Sequence, residues 1–293
     1  MKKKGILLIA SLLFLTMGCR DLVQDEFDSF EKTPVVKAVF KDGEEIVVRL
    51  SYTGNVGDTI LEIVDNAEIS LYETGVFVET MQVDNSSFYL SGCDYCSTVV
   101  AKAGNTYLCE VAIPGYDIIT CSETIPNPVT IKSWKFIRRA GLDEEGYPYS
   151  SATFSFDNDL AVDQYFQVVF KGSNSYGTRD ITDPLLDLAD PIIKGEGIPI
   201  PIFSDINMKS DNYEMTLNFY CDDYSEITME LRSLSKDLYK YLRSSYLYEM
   251  SRYPYDILSV VPGYNLYSNV DGCYGIFAGY SSFEVNLTNS VGP

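Results

Sequence analysis

From Pro34 to Thr124 the sequence is cut into short segments by turn signals, and within each segment apolar and polar residues alternate. Ile46, Val48 and Leu50 fall on one side of one such segment, and Ala67, Ile69 and Leu71 on one side of another. Period two is the spacing of a strand with one buried face, and the segments are too short to be read as helices. Lys41-Asp42-Gly43, Glu73-Thr74-Gly75, Gly104-Asn105 and Pro114-Gly115-Tyr116 supply the turns between them. The pattern predicts strands over 35–40, 45–52, 67–72, 76–83, 98–101, 106–113 and 117–124, with a loop around Cys93 and Cys96. Such a run without a helix argues for a β-sandwich over 34–125, immunoglobulin-like or transthyretin-like. The 23 Tyr and 15 Phe suit pleated, half-buried surfaces.

Pro126-Asn127-Pro128 reads as a stiff connector to a second, larger β-domain over 126–293. Strands are predicted over 129–138, 152–156, 164–170, 213–220, 227–231 and 274–287, with a hydrophilic loop over 141–150 and a long irregular stretch over 173–200. One helix is predicted, over 235–250. Ser233 and Ser235 are its cap candidates, Asp237 sits in its first turn, and Leu238, Tyr241, Leu242 and Tyr246 follow helical spacing. Pro254 bars its continuation. The expected class is therefore all-β with one inserted helix.

The N-terminus carries an address. Lys2-Lys3-Lys4 precede an apolar run from Ile6 to Met17, and Gly18-Cys19 closes it before polar, charged chain. A membrane span needs about 20 apolar residues, so this run is too short to be one. The arrangement is that of a bacterial lipoprotein signal over 1–18, with Cys19 as the lipidated mature N-terminus and 19–33 as a tether. One acyl chain anchors only marginally, so lasting attachment needs the several chains of a processed lipoprotein cysteine.

The chain has 42 Asp+Glu against 22 Lys+Arg, a formal charge of −20. That balance repels nucleic-acid phosphates and anionic lipid, and it either attracts cationic ligands or divalent ions or serves the solubility of an exported protein. Beyond Cys19 stand Cys93, Cys96, Cys109, Cys121, Cys221 and Cys273. In an oxidising compartment they permit three disulfides. Cys109 and Cys121 are symmetric about Gly115, which makes them a cross-strand pair candidate. Cys93 and Cys96 would close on each other or pair elsewhere, and Cys221 with Cys273 would tie the last third together.

There is no His, which removes His general bases, Ser-His-Asp and Cys-His nucleophile systems and His-ligated metals. No phosphate-cradling loop, dinucleotide fingerprint or nucleophile elbow is present, and no cofactor is implied. Cys93-x-x-Cys96 lacks the partner pair a zinc site needs. Asp157, Asp159 and Asp163 are calcium candidates, but their segment lacks the glycine and the terminal glutamate of an EF-hand loop and reads first as an acidic turn. Asp222-Asp223 and Asp143-Glu144-Glu145 contain carboxylates that could cleave glycosides only if two faced each other across a cleft. Tyr239, Tyr241, Tyr246, Tyr248, Tyr253, Tyr255, Tyr264 and Tyr267 crowd one region, either as a stacking platform for sugars or peptides or as a seal between helix and sheet.

Several segments in order resemble one family. They are Pro34–Phe40, Val47–Tyr52 with Gly54, Asn66-Ala67-Glu68-Ile69-Ser70-Leu71 and Gly104-Asn105-Thr106-Tyr107-Leu108. Then follow Ile125-Pro126, Phe203-Ser204-Asp205, Leu238-Tyr239-Lys240-Tyr241-Leu242 and, above all, Tyr267-Ser268-Asn269-Val270-Asp271-Gly272-Cys273-Tyr274-Gly275-Ile276-Phe277-Ala278-Gly279-Tyr280. Together they resemble the Bacteroidota lipoproteins grouped as domain of unknown function 4249. The resemblance implies an outer-membrane lipoprotein, a partnership with a TonB-dependent transporter in nutrient capture, and no catalytic residues to carry over. The acidic stretch after Cys19 resembles a surface-export signal of that phylum, which places the protein on the cell surface, the periplasmic face being the alternative. Asp58-Thr59-Ile60 resembles the phylum's O-glycosylation acceptor, at Thr59. The expected function is a non-enzymatic binding or accessory subunit. The rival readings are a surface adhesion or envelope structural protein and a carboxylate-based surface glycoside hydrolase.

Overall fold

The computed structural model describes residues 31–54, 62–84, 93–182, 185, 190–252 and 263–289, and of Cys93 only the backbone. Cys19, Thr59 and the signal peptide lie outside the described residues. The strands are β1 (Pro34–Lys41), β2 (Glu45–Tyr52), β3 (Glu68–Glu73), β4 (Val76–Thr80), β5 (Gln82–Val83), β6 (Cys93–Val100), β7 (Thr106–Ala112) and β8 (Ile119–Thr124). There follow β9 (Ile131–Leu142), β10 (Pro148–Asp157), β11 (Tyr165–Asn174) and β12 (Gly177–Asp180), then a short helix α1 (Pro191–Gly195) and β13 (Ile202–Ser204). The chain ends with β14 (Asn212–Phe219), β15 (Glu226–Leu234), the helix α2 (Lys236–Arg252) and β16 (Tyr274–Asn286).

The all-β class is what the alternation predicts. Its organisation centres on one nine-stranded sheet, in the order β12-β11-β15-β16-β1-β2-β6-β5, with β13 added on β11. The C-terminal strand β16 lies beside the N-terminal strand β1 and runs parallel to it, whereas the other pairings are antiparallel. Two smaller sheets, β4-β3-β7-β8 and β14-β10-β9, pack on one side of the long sheet. The first closes a core over β1, β2 and β6 that holds Val36, Phe40, Ile46, Leu50, Tyr95 and Tyr107. The second closes a core over β11 and β15 that holds Phe154, Phe166, Phe170, Phe219 and Leu231. The connector at 126–128 thus leads from one small sheet to the other, while the long sheet runs beneath both.

On the reverse side of the long sheet, α2 packs Leu238 on Leu234, Ile276 and Ala278. Ser235 caps this helix, its Oγ accepting from the Leu238 amide at 3.2 Å. Beyond α2 the reverse face carries charge. Glu230 is fully buried there, with Arg232, Lys171 and Lys41 at 2.9, 3.0 and 3.4 Å. Lys41 and Lys171 also reach Glu284, so the array spans β1, β16, β15 and β11.

Expectations for three segments are corrected. The segment around Cys93 and Cys96 is not a loop but strand β6, paired with β2, and Asp94 is held by Arg49 at 2.6 Å. Polar residues hide the alternation there, and pairing decides. Cα atoms three residues apart on a strand are about 10 Å apart, beyond disulfide reach, so Cys93 and Cys96 cannot close on each other. The stretch 173–200 is not irregular throughout: it contains the end of β11, all of β12 and α1, whose N-terminus is capped by Asp190 accepting from the Ile192 amide at 2.9 Å. The hydrophilic loop predicted over 141–150 shrinks, because β9 runs to Leu142 and β10 begins at Pro148.

Candidate functional site

The longest family-like segment, Tyr267 to Tyr280, turns the chain into β16 and fixes it against α2. Asn269 acts as a third strand would: its Nδ2 donates to the Phe277 carbonyl at 2.8 Å and its Oδ1 accepts from the Phe277 amide at 2.9 Å. Ser268 Oγ accepts from the Gly275 amide at 3.1 Å. Gly275 has φ +140°, and a Cβ there would lie 1.7 Å from the Val36 carbonyl oxygen, so only glycine lets β16 start beside β1. Tyr267 then reaches the helix. Its hydroxyl donates to Asp237 at 2.6 Å, Lys240 lies over its ring at 4.8 Å, and its amide donates to Ser244 Oγ at 2.8 Å. Against burial, which would raise it, the donors Tyr267 and Lys240 hold the Asp237 carboxyl below the ordinary carboxylate range.

This clip builds a recess of about 530 Å³. Tyr241 and Tyr248 come from α2, Tyr264 and Tyr267 from the segment after it, and Tyr274 from the start of β16. Val35, Lys37 and Thr53 close it from the strand side. Tyr264 and Tyr274 are exposed, the latter at 61%. Thr53 also receives the chain that enters β1: the Thr33 amide donates to its Oγ1 at 3.0 Å, and its own amide donates to the Thr33 carbonyl at 2.9 Å. The end of the predicted tether is therefore pinned at the rim of the recess.

The tyrosine crowd divides between two positions. Tyr239 seals: its ring packs at a tilt against Tyr165, with centroids 4.8 Å apart, and it donates its hydroxyl to Glu196 at 2.7 Å. Burial and Glu196 push its hydroxyl up to about 12. Tyr241, Tyr248, Tyr264 and Tyr267 line the recess instead. Tyr253 and Tyr255 lie outside the described residues. Sequence reasoning missed Tyr274 and Lys37. Both sit on strands that meet only through the long-range β1–β16 pairing, although Tyr274 falls within the family-like segment.

The carboxylates that the sequence could not place do meet. Glu145, Asp180, Asp222 and Asp223 line an open cleft of about 900 Å³ with Tyr147, Tyr220 and Tyr224. Its residues are partly tied: Arg139 Nε lies 3.0 Å from Asp222, and Tyr220 donates its hydroxyl to Asp143. That hydrogen bond, with backbone donors from Tyr147 and Glu145, holds the Asp143 carboxyl below its ordinary range. A general acid needs the opposite. Asp157, Asp159 and Asp163 share a smaller recess of about 380 Å³. There Asp157 pairs with Lys132 at 2.8 Å and Asp159 Oδ1 accepts from the Ala161 amide at 3.0 Å. Among the described residues no three metal-binding side chains converge.

The cysteines divide between the two cores. Cys109 and Cys121 are register partners across the β7–β8 hairpin. The Cys121 thiol is pushed up by its hydrogen bond with Cys109, by burial and by the nearness of Cys109 and Cys273. Cys273 packs against the same first core, where burial pushes its thiol up to about 11. Cys221 lies in the second core, 3.1 Å from Ser150 Oγ. The expected Cys221–Cys273 pairing is therefore excluded: the two belong to separate cores on either side of the β15–β16–β1 region. Cys96, Cys109, Cys121, Cys221 and Cys273 are all thiols in this structure.

The profile of the family described as Domain of unknown function (DUF4249) matches residues 20–285. No curated protein matches the chain. Among solved structures, the beta-glucuronidase of Parabacteroides merdae is similar at 8% identity and TM-score 0.23, over 70% of this chain and 24% of that one. Beta-glucuronidase 3 of Bacteroides uniformis is similar at 11% identity and TM-score 0.22, over 69% and 23%. The Fcho1 mu homology domain of Danio rerio, with bound Eps15 peptide, is similar at 10% identity and TM-score 0.21, over 86% and 92%. The chain thus spans about a quarter of the length of the glucuronidases, and scores this low carry nothing over to it.

Proposed function

This chain belongs to the DUF4249 family, and from that membership we propose that it is a lipid-anchored, non-enzymatic binding subunit of an outer-membrane uptake system. The observation that carries the reading is the tyrosine-lined recess at the point where the tether enters β1. Lipid on Cys19 holds the protein at the outer membrane, and the tether over 19–33 leads to the rim of the recess. A ligand captured there is delivered to a TonB-dependent transporter at the same surface. The absence of His supports binding over catalysis. The ring-rich lining suits a ligand held by stacking and by a few polar groups.

The test is purification of tagged protein from solubilised outer membranes, with growth of a deletion strain on single nutrients. A TonB-dependent transporter should co-purify, and the strain should lose growth on one nutrient class, restored by the wild-type gene and not by Cys19→Ser. Failure to recover any transporter, together with unchanged growth on every nutrient, overturns the proposal.

One observation favours a second reading, a carboxylate-based hydrolase: the cleft that gathers Glu145, Asp180, Asp222 and Asp223. Release of reducing sugar from glycans by the purified protein, lost in Glu145→Gln or Asp223→Asn, would establish it.

A further inference from the structure

The charge of the tyrosine recess runs against that of the chain. The protein carries 42 Asp+Glu and 22 Lys+Arg. The cleft at Asp222 has four carboxylates in its wall, the recess at Asp157 has three, and the shallow depression at Arg49, which Lys37 also lines, has Asp94. The tyrosine recess has none among its described lining, and its one charged side chain is Lys37.

Lys37 has no ion-pair partner among the described residues. The other cations on β1, β2, β11 and β15 are paired: Lys41 and Lys171 with Glu230 and Glu284, Arg232 with Glu230, and Arg49 with Asp94. Asp237, bonded to Tyr267 of the wall, has its two oxygens occupied by Tyr267, Lys240 and Asn269, and Asp94, which shares the neighbouring depression with Lys37, is paired with Arg49 at 2.6 Å. At physiological salt, charges beyond about 8 Å are largely screened. A ligand in the recess therefore responds to Lys37 more than to the net charge of the chain.

The geometry points to an acidic saccharide as the ligand: a pyranose stacked on the tyrosine rings, with its carboxylate or sulfate paired with Lys37. This rests on reading the recess as the binding site. A sugar ring offers C–H faces to the exposed rings of Tyr264 and Tyr274 and hydroxyls to the polar groups of Thr53, Asn265 and Ser268. A lysine among those rings disfavours quaternary ammonium and other cationic ligands, which aromatic cages otherwise hold. The anion supplies a charge-assisted contact that a neutral sugar lacks.

The test is isothermal titration of the full mature chain with three probes: a galacturonate tetrasaccharide, a chondroitin sulfate tetrasaccharide and a neutral galactose tetrasaccharide. The variants are Lys37→Gln, at an exposed strand position, and Tyr274→Ala, at an exposed ring, each checked for an unchanged melting temperature. At least one acidic probe should bind at least tenfold more tightly than the neutral one. Lys37→Gln should remove about tenfold of that affinity and flatten its salt dependence, and Tyr274→Ala should weaken binding of that probe as well. The two acidic arms separate a carboxylate from a sulfate ligand. Equal binding of acidic and neutral probes, with Lys37→Gln silent, overturns the ligand class and leaves the binding reading standing. No binding of any probe at millimolar concentration overturns the saccharide inference, and the binding reading is then judged by the transporter pull-down alone.

Discussion

Glu230 is the residue whose loss the fold should feel most sharply as an electrostatic change. It is fully buried on the reverse face of the long sheet, where Arg232, Lys171 and Lys41 converge on it at 2.9, 3.0 and 3.4 Å. Burial alone would raise its pKa, but the surrounding cations, Arg232 first, hold it at about 2 against an ordinary 4.5. At about 1.4 kcal/mol for each tenfold, that difference makes the ionised form stabilise the fold by about 3 kcal/mol. The sign follows from the direction. A lowered carboxylate contributes fully above its unfolded value and loses the contribution as pH falls towards its folded value. The full contribution should therefore hold above about pH 5, and about 1.4 kcal/mol of it should remain at pH 3. Glu230→Gln removes the anion, leaving Lys41 and Lys171 to share Glu284 and taking from Arg232 its carboxylate partner, a change of the kind that costs roughly 3–5 kcal/mol in buried pairs. The assay is urea unfolding followed by the fluorescence of Trp134, the one tryptophan, which packs against the second core. The variant should lose about 3 kcal/mol at pH 7 and under half of that at pH 3. A loss below about 1 kcal/mol at pH 7, the size of an exposed pair, or an equal loss at both pH values, would refute the reasoning.

Three further predictions come from other sites. Gly275→Ala would drive a Cβ to 1.7 Å from the Val36 carbonyl oxygen, so it should destabilise by more than about 3 kcal/mol, read as a loss of soluble folded protein or a large fall in urea midpoint. Glu123 has one buried oxygen without a hydrogen-bond partner, and burial, with nearby Asp237, raises its pKa. A raised carboxylate destabilises the fold once it ionises, so Glu123→Gln should raise the melting temperature at pH 7. That gain should vanish as pH falls through the ordinary glutamate value, and a variant less stable at pH 7 would contradict this account. Antiparallel register partners have Cα atoms about 4.5–5.5 Å apart, within disulfide reach. Peptide mapping of chain oxidised in the native state should therefore find Cys109 joined to Cys121 and no bridge from Cys221 to Cys273.

Much of the fold was legible because its cues are local. The alternation of Ile46, Val48 and Leu50 marks β2, and the turn residues at 42–43, 74–75 and 104–105 mark the ends of strands. The cap at Ser235 and the spacing of Leu238 and Leu242 mark α2. The removal of His chemistry is likewise read from the residues themselves. Strand β6 was legible only at its end, in the strand predicted over 98–101; its first part was not, because Asp94 and Ser97 break the apolar pattern and are satisfied by Arg49 and Glu79 from other strands. A polar residue buried against a distant partner looks in sequence like a loop.

The sequence by itself determined the class of the protein: short strands, one capped helix, an acidic body and no histidine, all set by near-neighbour spacing and by composition. Only the tertiary structure decided how those strands combine and where a ligand could sit. The parallel pairing of β1 with β16 joins residues some 240 positions apart in Val35↔Tyr274 and Lys37↔Ile276, and nothing local specifies it. That pairing brings Lys37 and Tyr274 to the tyrosines of α2 and leaves Asp237 neutralised behind the wall. It also sets Cys273 near Cys121 and away from Cys221. A strand register is fixed by the side chains of its partner strand, and here that partner lies at the other end of the chain.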